Sequence, residues 1–293
     1  MTTAGTTHDA SSAGTMTIAG ELTVNRLGFG AMRLTGDGIW GEPRDAAECK
    51  RVLRRAVELG VNFIDTADSY GPFVSERLIA EALYPYPDGL VIATKGGLMR
   101  PGPDEWHPNG RPEYLREACE GSLHRLRLDR IDLYQFHRPD PEVPLDESLG
   151  ALLELQREGK IRHIGLSNVS LPELVLAQEI AGVKSVQNRF NLIDRSSLDV
   201  LDRCTAEWIP FIPWFPLATG ELARSAGVLQ RVAQRHAATT GQVALAWLIQ
   251  SSPVMLPIPG TSRVAHLEEN VAAAGLLLDE SEIAELDAVT PAA

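Results

Sequence analysis

One recurring pattern constrains the fold of this chain more than any other feature: a short apolar run, a polar loop, then an amphipathic helix. Runs that read as strands fall at Leu27–Gly30, Asn62–Asp65, Val91–Lys95, Ile131–His137, Arg162–Ser167, Ser185–Asn188, Ile209–Trp214 and Val254–Pro257. Helices are expected between them at Asp45–Leu59, Ser75–Leu83, Pro112–Leu126, Leu145–Glu158, Leu171–Ile180, Ser196–Glu207 and Thr239–Ile249, with Val264–Ala273 after the last strand. Gly60 and Gly159 stop two of these helices where the next strand must begin. Asp45 and Ser75 suit N-caps, and Pro112 and Pro172 suit first-turn positions. The strands are nearly continuous apolar runs, as strands buried on both faces should be. Eight such units predict an α/β fold, a (β/α)8 TIM barrel. The preceding "MTIAGELTVN" predicts a short N-terminal β-hairpin turning at Ala19-Gly20. A doubly wound sheet would want GxGxxG after its first strand, and "LGFGAMRL" has Arg33 where the last glycine belongs.

A chain of 293 residues is compatible with one barrel, and residues 15–293 are read as a single domain. Residues 1–14 are rich in Thr, Ser, Ala and Gly and lack the basic and apolar segments of a signal peptide; a disordered tail is expected there. The net charge of -12 argues against nucleic acid as the main partner. Cys49, Cys119 and Cys204 are widely spaced, so neither a disulfide framework nor a zinc site is expected. The histidines show no HxH or HExxH, which speaks against a metal-dependent hydrolase. No apolar run approaches a membrane span. The expectation is a cytoplasmic, metal-free protein, a monomer or a weak homo-oligomer, that acts on a small molecule.

In such a barrel, function gathers at the C-terminal strand ends. Asp65, Lys95 and His137 end the second, third and fourth strands, and Tyr70 follows on the loop after the second. Ser167-Asn168 end the fifth strand, Gln187-Asn188 the sixth and Trp214 the seventh. A tyrosine ordinarily titrates near pH 10 and releases its proton poorly, and an adjacent ammonium favours the phenolate. Asp65 beside Lys95 would keep that ammonium charged and fixed. His137 would hydrogen-bond a substrate oxygen. This is a general acid aimed at an oxygen that gains negative charge, as in carbonyl reduction. The hydride then needs a nicotinamide cofactor, because no side chain supplies one.

The segments "LGFGAMRL", "GVNFIDTADSYG", "VIATKGG", "DLYQFHRPD", "GKIRHIGLSN", "VQNRFNL", "PWFPLATG" and "IPGTSRVAHLEENV", in this order, resemble the aldo-keto reductase superfamily across residues 16–290. The chain is similar to a bacterial branch that includes pyridoxal reductases. The resemblance implies a catalytic tetrad of Asp65, Tyr70, Lys95 and His137, with Tyr70 as proton donor. It implies that Ser167, Asn168 and Gln187 hold the nicotinamide carboxamide and that Trp214 stacks on the ring in place of the usual tyrosine. Gly30, Ala31 and Met32 would line the cofactor site, and Pro216, Leu217 and Thr219 would meet the pyrophosphate. Phe215 replaces a serine common there. Gly260, Thr261, Ser262, Arg263 and His266 would take the 2′-phosphate end, and Glu269 and Asn270 the adenine. Gly260 and His266 stand where relatives often carry Lys and Arg. NADPH is favoured over NADH.

For the substrate, Trp40, Phe73, Trp106 and His107 are expected to form an aromatic wall. Little chain follows Leu286, so an open pocket for an aromatic aldehyde is expected, pyridoxal being one candidate. The rival reading is an NADP(H)-binding redox sensor or regulatory subunit with little turnover.

Overall fold

The structure is a computed structural model that describes residues 9–217 and 226–289. The hairpin pairs β1, Thr15–Ile18, antiparallel to β2, Leu22–Asn25. Ala19 and Gly20 both adopt positive φ, 56° and 73°, as a tight hairpin turn of this hand requires. Ile18, Leu22 and Val24 are buried and cluster with Phe63, Val91, Leu133, Ile212 and Leu256, one from each of several barrel strands. The hairpin therefore plugs one end of the barrel.

The wall is a parallel sheet. Its six laddered strands are β3 (Phe29–Gly30), β4 (Phe63–Asp65), β5 (Val91–Gly96), β8 (Ile131–Phe136), β9 (Ile161–Ser167) and β10 (Val183–Gln187), adjacent in that order. The strands expected at Ile209–Trp214 and Val254–Pro257 are reduced to isolated bridges, Val186 with Phe211, Arg189 with Trp214 and Phe211 with Met255. The cause lies in the sequence: Pro210, Pro213, Pro253 and Pro257 have no N–H to give a ladder. Closure still occurs. Ile212 N–H donates to Val186 O at 2.8 Å, Leu256 N–H to Phe211 O at 2.9 Å, and Gly28 N–H to Pro257 O at 3.0 Å.

Helices cover the outside: α1 (Ala46–Glu58), α2 (Val74–Leu83), α3 (Pro112–Leu126), α4 (Leu145–Arg157), α5 (Leu171–Ile180), α6 (Leu198–Glu207), α7 (Ala226–Arg235), α8 (Thr240–Ser251), α9 (Val264–Ala272) and α10 (Glu280–Asp287). Strand–helix alternation leaves no place for α7 and α10, which pack on each other through Arg231, Arg235, Glu282 and Glu285. Asp45 caps α1 as expected, its carboxylate accepting from Glu48 N–H. Ser75 does not cap α2. That helix starts at Val74 after Phe73, which is left-handed, and the Ser75 hydroxyl instead donates to Ala31 O at 3.1 Å. The folded chain also begins before residue 15. Residues Ala10–Ala13 form a 3-10 turn capped by Asp9, and Ala10 and Ala13 are buried in a cluster that joins residues of α1 to Ala274 of the turn after α9. The two apolar methyls and the Ala10 N–H to Leu59 O bond hold it there. Cys49, Cys119 and Cys204 are free and buried in helices. A short pair, β6 (Leu98–Met99) with β7 (His107–Pro108), rims the long loop after β5.

Candidate active site

Parallel register brings the polar strand ends to one level: Asp65 lies opposite Ala93, Lys95 opposite Gln135, and Ser167 opposite Gln187. Lys95 is wholly buried, and its ammonium spends all three hydrogens. Nζ donates to Asp65 Oδ2 at 2.6 Å, to Thr66 O at 2.8 Å and to the Tyr70 hydroxyl at 3.2 Å. Burial pulls the ammonium's pKa down, but Asp65 and Tyr70 together pull it up further, so Lys95 is a cation. Asp65 Oδ1 accepts from Gln187 Nε2 at 2.8 Å and from Gln135 Nε2 at 2.9 Å. Asp65, Gln135 and Gln187 come from alternate barrel strands, the arrangement that stacks inward side chains in layers. Gln135 escaped the sequence reading. Its signal is a polar residue in the middle of a buried strand, two before His137.

Tyr70 differs from expectation in one respect. Burial raises its pKa more than Lys95 lowers it, so the phenol holds its proton at neutral pH. The buried His137 imidazole is pushed well below the usual range, first by desolvation and then by the charges of Lys95 and Arg138, and is neutral. Its Nδ1 lies 3.3 Å from Ser69 Oγ, and its ring meets Tyr70 edge-on with centroids 5.9 Å apart.

Tyr70 opens into a cavity of about 330 Å³ that it shares with His137, Ser167, Asn168, Gln187 and Trp214. Asn168 adopts left-handed backbone, φ 58°, which asparagine tolerates. Its Nδ2 donates to His137 O at 2.9 Å and to Ser167 Oγ at 3.0 Å, and its Oδ1 accepts from Trp214 Nε1 at 3.1 Å. One amide thus ties the fourth, fifth and seventh strand ends together and fixes the indole.

A narrower passage lined by Gly30, Met32, Tyr70, Trp214, Pro216 and Leu217 leads from this cavity. It runs into a groove of about 820 Å³ lined by Leu217, Gly260, Thr261, Ser262, His266, Glu269 and Asn270. Gly30 and Gly260 lie back to back. A Cβ on Gly30 would stand 2.5 Å from Ile258 O, and one on Gly260 2.5 Å from Gly30 O. Ala31 is buried behind this floor. Arg263 is exposed at the N-terminus of α9 and lies outside the groove lining. The first free N–H of that helix, Val264, is taken by Glu48 Oε1 at 3.0 Å. Glu269 Oε1 accepts from the Thr239 hydroxyl at 2.8 Å. Thr219 lies outside the described residues.

The expected aromatic wall is only partly assembled. Trp106 lines the cavity. Trp40 lies outside it, bridging to Gly71 by backbone, and the Arg100 guanidinium sits 5.7 Å from its ring and 3.6 Å from that of Trp106. Phe73 is 50% exposed and faces outward with Arg125 4.2 Å above its ring, because its left-handed backbone turns it away from the mouth. His107 is exposed, pointing from β7 where it pairs with Met99. Ile39, Leu98 and Arg138 line the cavity instead. Among the described residues no group of His, Cys, Asp and Glu could hold a metal, and no helix is long and apolar enough to cross a membrane.

These features define a parallel barrel with a lysine-anchored tyrosine at the head of a long groove. The chain belongs to the aldo/keto reductase family, matching that family's model over residues 26–291, and it is an oxidoreductase. It is 53% identical over 286 residues to an uncharacterised oxidoreductase of Schizosaccharomyces pombe, covering 98% of this chain and 93% of that one. It is 44% identical over 278 residues to a pyridoxine 4-dehydrogenase of Escherichia coli, covering 92% and 96%. Among solved structures it superposes on a glycerol dehydrogenase of Gluconobacter oxydans with TM-score 0.85 at 27% identity, covering 94% of each chain. It also superposes on an aldo-keto reductase of Klebsiella pneumoniae in complex with NADPH, with TM-score 0.82 at 26% identity, covering 94% and 95%.

Proposed function

We propose that the protein reduces an aldehyde or ketone to the alcohol with NADPH, Tyr70 giving the proton. The observation that carries this is the chain Asp65–Lys95–Tyr70, in which one buried ammonium touches both a carboxylate and a phenol. The passage and groove together suit a dinucleotide, and a reduced nicotinamide bound there supplies hydride to the carbonyl carbon. A protonated Tyr70 and a neutral His137 then face the carbonyl oxygen. His137 orients that oxygen, and Tyr70 donates as negative charge develops on it. Lys95 stabilises the phenolate left behind, and Asp65, held by two amides, keeps Lys95 in place. Trp214, fixed through Asn168, offers a flat face for the nicotinamide. Ser167 and Gln187 lie within the same cavity for the carboxamide. Thr261, Ser262 and His266 supply hydrogen-bonding groups at the far end of the groove, and the solved relative with NADPH supports that cofactor over NADH.

The dehydrogenase relative makes pyridoxal and pyridoxine the first substrate pair to assay. The test is Tyr70→Phe. Turnover of the best aldehyde should fall by about 10²–10⁴-fold, while NADPH binding measured by fluorescence persists. Unchanged turnover would remove Tyr70 from the mechanism. NADPH binding with no oxidation across a broad aldehyde panel would favour the sensor reading.

A further inference from the structure

The cavity above Tyr70 holds a cation that carbonyl reduction does not require. Arg138 directly follows His137 at the end of β8, and its side chain lines that cavity but neither the passage nor the groove. Its Nε is shielded from solvent and has no acceptor. Other arginines with an unpartnered Nε bond through a terminal nitrogen: Arg26 to Ile249 O, Arg100 to Gly38 O, Arg195 to Asp287 O. Arg138 makes no hydrogen bond or ion pair with any described residue. A half-buried guanidinium whose Nε is dry, and whose terminal nitrogens reach the cavity without a partner among the described residues, is placed to take an acceptor that arrives with a ligand.

The surroundings point the same way. Among the described residues no aspartate or glutamate lines this cavity. Asp65, the carboxylate below Tyr70, is committed to Lys95, Gln135 and Gln187. Arg33 adds a second positive charge at the mouth, though it also borders the passage and the groove and so is shared with the cofactor side. The remaining walls, Ile39, Leu98, Trp106 and Phe215, are apolar. A cavity with a positive charge and apolar walls selects a ligand with an apolar body and an anionic oxygen.

We infer that Arg138 is a specificity residue that binds a carboxylate or phenolate oxygen carried by the carbonyl substrate. The inference rests on the carbonyl-reduction reading. Because Arg138 adjoins His137, the anionic oxygen sits on the same side of the substrate as the reacting carbonyl. The substrate class is therefore an aldehyde or ketone with an acidic substituent on a body of about one aromatic ring, which suits about 330 Å³.

The experiment compares benzaldehyde with 2-, 3- and 4-carboxybenzaldehyde and salicylaldehyde, in the wild type, Arg138→Met and Arg138→Lys. The wild type should prefer at least one charged aldehyde by about tenfold or more in kcat/KM, chiefly through KM. Arg138→Met should abolish that ratio, and Arg138→Lys should retain part of it. In parallel, calorimetry measures benzoate binding to the protein–NADP⁺ complex, and fluorescence measures NADPH affinity. Benzoate should bind the wild type and not Arg138→Met. An absent preference, or one that survives Arg138→Met, overturns the assignment. So does a variant that loses NADPH affinity while keeping its anion preference, since Arg138 would then serve the cofactor. If no aldehyde is reduced at all, the carbonyl-reduction reading fails, and benzoate binding alone decides whether Arg138 takes an anion.

Discussion

Asp65 and Tyr70 are five residues apart and are joined through a third residue: Lys95 Nζ lies 2.6 Å from the carboxylate and 3.2 Å from the phenol. The loop between them, Thr66 to Ser69, is shaped so that Thr66 O also accepts from Nζ, at 2.8 Å. The lysine is thus a structural rivet for that loop as well as a charge beside the tyrosine.

Removing the rivet should therefore damage both stability and rate. Lys95→Met leaves Asp65 buried without its counter-ion, a loss expected to cost about 3 kcal/mol of unfolding free energy, softened by the two glutamine donors. Lys95→Met with Asp65→Asn should recover part of that stability and none of the turnover. Urea denaturation followed by tryptophan fluorescence reads the first effect, and NADPH consumption the second.

Asp68 gives a pH prediction. It is buried, with Oδ1 lacking a partner, and desolvation and then Glu76 push its carboxyl from 3.8 up to about 8, against the opposing pull of Arg125 and Lys95. The folded pKa exceeds the unfolded one, so the folded state holds more protons between those values. The contribution to stability is complete below pH 4 and is lost as pH rises through about 8. The wild type should lose roughly 2 kcal/mol between pH 6 and 8 from this group, and Asp68→Asn should not. Denaturation profiles of the two proteins that run parallel over this range would contradict the assignment.

Glu48 occupies the N-terminal amide of α9, two residues before His266, which lines the end of the groove proposed to take the 2′-phosphate. Its carboxyl is held below the usual range, first by the Val264 N–H and then by Arg51, so it is an anion. Glu48→Gln should tighten NADPH a few-fold and leave NADH nearly unchanged, with the difference shrinking as salt is added. Parallel titrations of both cofactors would show it.

Gly30→Ala places a methyl carbon against backbone rather than against a side chain that can move aside. It should destabilise the fold by about 1–3 kcal/mol and weaken cofactor binding more than it alters kcat. A thermal melt with and without NADPH separates the two effects.

The barrel and the positions of Asp65, Lys95 and His137 were legible in the sequence because strand ends are legible: an apolar run that stops at a polar residue marks both the strand and the mouth. The directions of Phe73 and His107 are not legible in the sequence because they depend on loop path. A left-handed residue turns Phe73 outward, and the β6–β7 pairing turns His107 to solvent. Gln135 and Arg138 were passed over beside His137, since only the register and the cavity show which of those three side chains meet Asp65 and which meet open space. The prolines that thinned the last two strands were visible throughout, but their effect on ladder pairing shows only when the neighbours are in place.

Those prolines leave the barrel with a seam. Between β10 and β3 the wall is stitched by isolated amide bonds through Phe211, Leu256 and Gly28 rather than by ladders. The passage and groove run along this seam, from Pro216 and Leu217 across to Gly30 and Gly260. A ligand lying there spans the part of the cylinder with the least hydrogen bonding of its own, so its binding energy acts as a clasp on the fold, and local opening of the empty protein should begin along that line.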